Sequence, residues 1–77
     1  MDINTFIENF AGQLDDTPAD QIKPETKFRE LDEWSSLIAL SIIAMVDEGY
    51  NVTLKGEDIK KSETIKDIYD LTVARKG

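Results

Sequence analysis

The run Leu37-Ile38-Ala39-Leu40-Ser41-Ile42-Ile43-Ala44-Met45-Val46 constrains the fold more than any other stretch, because nine of its ten residues are apolar. A membrane-spanning helix needs about twenty such residues, so the run is too short to cross a bilayer and belongs inside a protein. Its length and its Ala, Leu and Met content favour a helix over a buried strand, although the paired Ile42 and Ile43 pull toward strand. Ser35 is placed to cap the helix start, and Gly49 ends the helix or sits in its last turn. At about 100° per residue, Ala39, Ile42, Ile43, Val46 and Tyr50 fall on one side, which is assigned to the core. Ser36, Leu37, Leu40, Ser41, Ala44, Asp47 and Glu48 fall on the other, with Ile38 and Met45 at the boundary. Leu37, Leu40 and Ala44 form an apolar strip there. Two readings of that strip stand. Periodicity alone favours a helix packed on nearly all sides; the other reading is an exposed patch for a partner protein.

The remaining chain supplies what such a helix packs against. Ile3, Phe6, Ile7, Phe10 and Leu14 recur at helical spacing, which predicts a first helix over Ile3 to Leu14, capped by Asp2 or Asn4. Residues 15–35 form a connection of about twenty residues, unusually long unless it packs or functions. Ile22, Phe28, Leu31 and Trp34 are available to pin it to the core, and Trp34 reads as a packing anchor rather than a ligand-binding aromatic. After Tyr50, residues 51–54 read as an extended linker, and Glu57 to Lys61 as one helical turn around Ile59. Thr64 and Asp67 resemble a capping box, followed by Ile65, Ile68, Leu71 and Thr72 at helical spacing and by Arg75-Lys76 at the end that favours cations. The expected fold is all-α: a small four-helix bundle, three main helices plus a short third one, with a long first loop, residues 1–77 forming a single domain. Its interior should hold Phe6, Phe28, Ile42, Val46, Tyr50, Ile59 and Ile68.

Charge and missing residue types narrow the function. The 77 residues carry 16 acids and 9 bases, a formal charge of −7. That balance disfavours nucleic-acid binding and docking on an anionic membrane. The chain contains no cysteine and no histidine. It therefore lacks a disulfide framework, a thiolate zinc site, a thiol nucleophile and the commonest general base, and reads as a poor candidate for a self-contained enzyme. No segment has the alternating ligands and central Gly of a calcium loop, so no metal site is expected. Met1-Asp2-Ile3-Asn4 lacks the layout of a signal peptide, which places the protein in the cytoplasm.

Phe28-Arg29-Glu30-Leu31-Asp32-Glu33-Trp34-Ser35-Ser36-Leu37, with the helix running to Asp47-Glu48-Gly49-Tyr50, resembles the acyl carrier protein family over nearly the whole chain. Carriers commonly show an aromatic residue, a serine eight residues on within Asp-Ser-Leu, and a helix ending in acids and an aromatic. Phe28 and Ser36 keep that spacing, and Ser62-Glu63-Thr64-Ile65 fits the entry into the last helix. The resemblance implies that Ser36 receives 4′-phosphopantetheine from coenzyme A and that the arm holds acyl groups as thioesters. Ser35 occupies the place where the family usually has Asp; it is the rival site and reads as the N-cap instead. The implied partners are a phosphopantetheinyl transferase and acyl-transfer or synthase enzymes of fatty-acid or specialised lipid or polyketide biosynthesis, serving a monomer. The transferase is expected to bring the base and Mg²⁺.

Departures from the family pattern reshape the expected docking face. Ile38 and Ser41 stand where fatty-acid carriers usually have acids, and no base occurs between Arg29 and Lys55. Docking should lean on Leu37, Leu40, Ala44 and Met45, framed by Asp47 and Glu48, with further acids at Glu30, Asp32 and Glu33. The departures put general fatty-acid synthesis in doubt. The competing function is a carrier-like helical interaction module without a prosthetic group.

Overall fold

A computed structural model describes residues 2–76. Four helices are present: α1 (Ile3–Ala11), α2 (Ser36–Tyr50), α3 (Gly56–Lys61) and α4 (Ile65–Lys76). Single 3₁₀ turns at Ala19–Gln21 and Phe28–Glu30 punctuate the long loop, and no strand occurs among the described residues. The all-α bundle with one short helix is the architecture expected from the periodicities.

Helix α1 starts at Asp2, whose side chain accepts from the Asn4 amide, so Asp2 rather than Asn4 is the cap. The helix stops at Ala11, three residues before the expected end. The next amides reach back only three residues, Gln13 to the Phe10 carbonyl and Leu14 to that of Ala11. This tightening still turns Leu14 inward, where it is buried. Helix α2 runs through Gly49 to Tyr50 and ends on Asn51, which adopts the left-handed region at φ 56° and donates its amide to the Asp47 carbonyl. Asn tolerates that conformation through its short polar side chain. The reversal leads Val52 and Leu54 into the core.

One apolar cluster joins the helices. Phe6, Phe10, Phe28, Ile42, Val46, Ile65 and Ile68 have no exposed surface. Phe6 meets Tyr69 edge-on at 5.4 Å between ring centroids, a favourable quadrupole geometry. Thr72 is also fully buried, and its hydroxyl donates to the Ile68 carbonyl at 2.8 Å, so burial leaves no polar atom unsatisfied. Tyr50, expected inside, is only half-buried; its hydroxyl accepts from Asn9 Nδ2 at 2.9 Å, and a phenol keeps such a partner near the surface.

The long loop is ordered by its anchors. Ile22 and Phe28 are buried, and Leu31 and Trp34 pack against the cluster. Trp34 lies 4.7 Å from the Phe28 ring and near-parallel to Phe10, in the expected role of packing anchor. Polar bonds close the loop at both ends. The Glu33 carboxylate accepts from the Asp15 amide (2.7 Å), the Asp16 amide (3.0 Å) and the Thr17 hydroxyl (2.7 Å). The Thr17 hydroxyl, then the backbone amides, hold the Glu33 carboxyl below its ordinary pKa. On the other side, the Ile65 and Lys66 amides donate to the Thr26 and Pro24 carbonyls. The start of α4 is fixed by the expected box: Thr64 Oγ1 accepts from the Asp67 amide, and Asp67 Oδ2 accepts from those of Glu63 and Thr64.

Candidate functional site

Ser35 and Ser36 divide two tasks at the start of α2. Ser35 is extended (φ −155°, ψ 172°) and its side chain accepts from the Ile38 amide at 3.4 Å, a long capping bond. Its carbonyl accepts from the Ala39 amide, closing the first turn. Ser36 is the first helical residue, exposed, with its hydroxyl not needed for capping. The amides of Ser36 and Leu37 precede the first intrahelical donor, the Ala39 amide, so the helix presents free N–H groups and the positive end of its dipole here. That environment suits a phosphodiester attached at the Ser36 oxygen.

The outer face of α2 is bare. Leu37 is 75% exposed and Leu40 63%, with Ala44, Asp47 and Glu48 exposed beside them and Met45 half-buried. Only Ile42 and Val46 of the apolar run are buried. The reading that periodicity favoured, a helix packed on nearly all sides, is therefore overturned. Its neighbours α1, α3 and α4 bury only Ile42 and Val46 of the run completely and leave Leu37, Leu40 and Ala44 open to solvent.

The core face of α2 is narrower than expected. Ala39 and Ile43, expected in the interior, are half-buried and line an open groove of about 510 Å³ between α2 and α3. Leu40 and Trp34 extend its apolar surface, and Gly56, Ile59 and Lys60 form the α3 side. Ser35, Ser36 and Arg29 line the same groove, so the hydroxyl opens directly beside an apolar surface. The sequence signalled none of Arg29, Gly56 or Lys60 as site residues, because their approach to α2 depends on how α3 folds back.

The expected acidic frame is altered at one point. Glu33 is spent on the Asp15–Thr17 staple, while Glu30 and Asp32 remain exposed in the loop before Ser36. No group of three or more acidic side chains is arranged to hold a metal ion among the described residues. No helix there is long and apolar enough to cross a membrane.

Comparison with known proteins identifies the family. The family profile described as "Phosphopantetheine attachment site" matches residues 4–72, spanning all four helices but for the last residues of α4 and the first of α1. The chain belongs to that family, whose members carry covalently bound 4′-phosphopantetheine. No curated protein and no solved structure matched the chain.

Proposed function

We propose that this member of the phosphopantetheine-carrying family holds its prosthetic arm on Ser36 and ferries acyl or related groups to partner enzymes. One observation carries the choice of residue: Ser36 is exposed in the first turn of α2, while the neighbouring Ser35 is engaged as the cap. Free amides at the helix start stabilise the phosphodiester anion, and the adjoining groove offers the attached group an apolar wall. When bound, the arm supplies the thiol that a chain without cysteine lacks, and acyl groups are held on it as thioesters.

In the attachment step, Ser36 Oγ forms a bond to the phosphorus nearer the pantetheine of coenzyme A. The pyrophosphate bond breaks, 3′,5′-ADP leaves, and the serine proton passes to a base of the transferase. No histidine is present to take that proton, so the chain works as a carrier rather than an enzyme, and Mg²⁺ comes with the transferase. Leu37, Leu40, Ala44 and Met45 form the docking strip, with Asp47 and Glu48 at its lower edge. Once a partner docks, tethering keeps the cargo at high effective concentration. The strip's few charges imply partner binding less sensitive to salt than for an acid-rich helix. We place the protein in the cytoplasm as a monomer and assign it to fatty-acid or specialised lipid or polyketide synthesis.

Incubation with coenzyme A and a broad-specificity phosphopantetheinyl transferase, followed by intact-mass measurement, tests the assignment. One adduct is expected on the wild type and on Ser35→Ala, and none on Ser36→Ala. No adduct on the wild type, or an adduct that survives Ser36→Ala, overturns it and favours the interaction module without a prosthetic group.

A further inference from the structure

Helix α3 has little to hold it in its own sequence. Six residues are too few for a stable isolated helix, and the element opens on Gly56. Only Ile59 is buried, and α3 packs chiefly on α2. Two arginines from outside the helix supply the rest. Arg75, near the end of α4, grips Asp58 with both arms of its guanidinium, Nη1 to Oδ2 at 2.6 Å and Nη2 to Oδ1 at 2.8 Å. The same Nη1 donates to the Thr53 carbonyl at 3.1 Å, so one side chain ties α3 and the strand-like segment before it to α4. Asp58 Oδ2 also accepts from the Lys55 amide at 2.8 Å, closing the first turn of α3. On the opposite flank, Arg29 lies over the Phe28 ring, 5.0 Å from its centroid, and donates Nη1 to the Ile59 carbonyl at 2.9 Å.

Both clasps bear on one structural element, and that element is a wall of the groove beside Ser36. We infer that Arg75 and Arg29 are positioning residues that hold α3 closed against α2, and that the Arg75–Asp58 pair sets how readily the groove admits an apolar group. This rests on the reading of Ser36 only for what visits the groove; the clasp itself is a property of the unmodified chain. A forked guanidinium–carboxylate pair is directional, so lysine restores the charge without the second bond or the reach to Thr53. Because the bonds lie at the edge of the core, releasing them frees α3 while α1, α2 and α4 keep their apolar contacts.

Hydrogen exchange on the unmodified protein provides the test, with Arg75→Gln, Asp58→Asn, Arg75→Lys and Arg29→Gln. Arg75→Gln and Asp58→Asn should each speed exchange of amides 55–62 roughly tenfold, with Arg75→Lys intermediate, while amides 6–11 and 42–50 stay within about twofold. The double variant should add little to either single one, as expected for groups acting on each other. Arg29→Gln should speed the same segment. Trp34 is the single tryptophan and lines the groove, so acrylamide quenching should rise in the same variants, and the neutral probe phenylnaphthylamine should bind more tightly. Unchanged exchange in 55–62 overturns the inference, as does an equal acceleration in all helices. Selective exchange with unaltered quenching and probe binding overturns the link to the groove. These readouts are independent of any adduct on Ser36, so a failed modification assay and a failed clasp remain distinguishable.

Discussion

The two sides of α2 are held by different physics. Toward α1 and α4, cohesion comes from side chains wholly removed from water, Phe6, Ile42, Val46 and Ile68 among them. On the α3 side only Ile59 of that helix is buried, and α3 is fixed in place by hydrogen bonds from the loop residue Arg29 and from Arg75 of α4 rather than from α2 itself. Apolar burial is non-directional and is lost only when the elements separate. Hydrogen-bonded clasps are directional and can be released singly. The difference allows a small bundle to keep its core while the region beside Ser36 opens.

The largest blow to this contrast comes from the apolar side. Phe6→Ala removes a ring with no exposed surface and should cost about 3–5 kcal/mol, a large part of the stability of a domain this size. Urea unfolding followed by circular dichroism should show loss of all helices together. Ile59→Ala acts on the other side and should cost less, about 2 kcal/mol, because its position beside an open groove limits the cavity left behind. Its signature in hydrogen exchange should be confined mainly to residues 55–62; equal global destabilisation by both variants would erase the contrast. Ser35→Ala removes a long capping bond and should cost roughly 0.5–1 kcal/mol by the same urea measurement, while Ser36 remains a transferase substrate.

The smallest expected effect is a pH dependence. Arg75, then the Lys55 amide, hold the Asp58 carboxyl down to about 2, below its ordinary 3.8. A depressed folded-state pKa stabilises the protein above the unfolded value, and that contribution fades as pH falls from near 4 toward 2. The gap in melting temperature between wild type and Asp58→Asn should therefore be widest above pH 4 and narrow toward pH 2. Glu33 and Asp67 are also lowered, by Thr17 and by the Glu63 amide foremost. They are common to both proteins, so the comparison isolates Asp58.

Much of this was readable from local pattern. The apolar period named Phe6, Ile7 and Phe10 of α1 and Ile65, Ile68 and Thr72 of α4, all buried, though it missed Ala11 and included the half-buried Ile3 and Leu71. Ser35 and the Thr64–Asp67 pair marked helix starts, because caps and periodicity act within a few residues. Ser36 was singled out by the resemblance to carrier proteins, through its spacing from Phe28, and not by local pattern. What escaped was long-range. Glu33 reads as a solvated acid until Asp15, Asp16 and Thr17, 16 to 18 residues away, fold back to it. Arg75 reads as a helix-terminal cation until Asp58 meets it across 17 residues. The bare face of α2 was misjudged for the same reason: burial depends on how many neighbours arrive, and periodicity counts none of them.

The Glu33 staple governs more than its loop. It lies three residues before Ser36 and fastens the approach to α2 onto the segment just after α1. The intervening chain is thus an eyelet whose two ends are cinched together. Cutting the knot at Thr17 would loosen the ground on which the hydroxyl stands, from nineteen positions upstream in the chain.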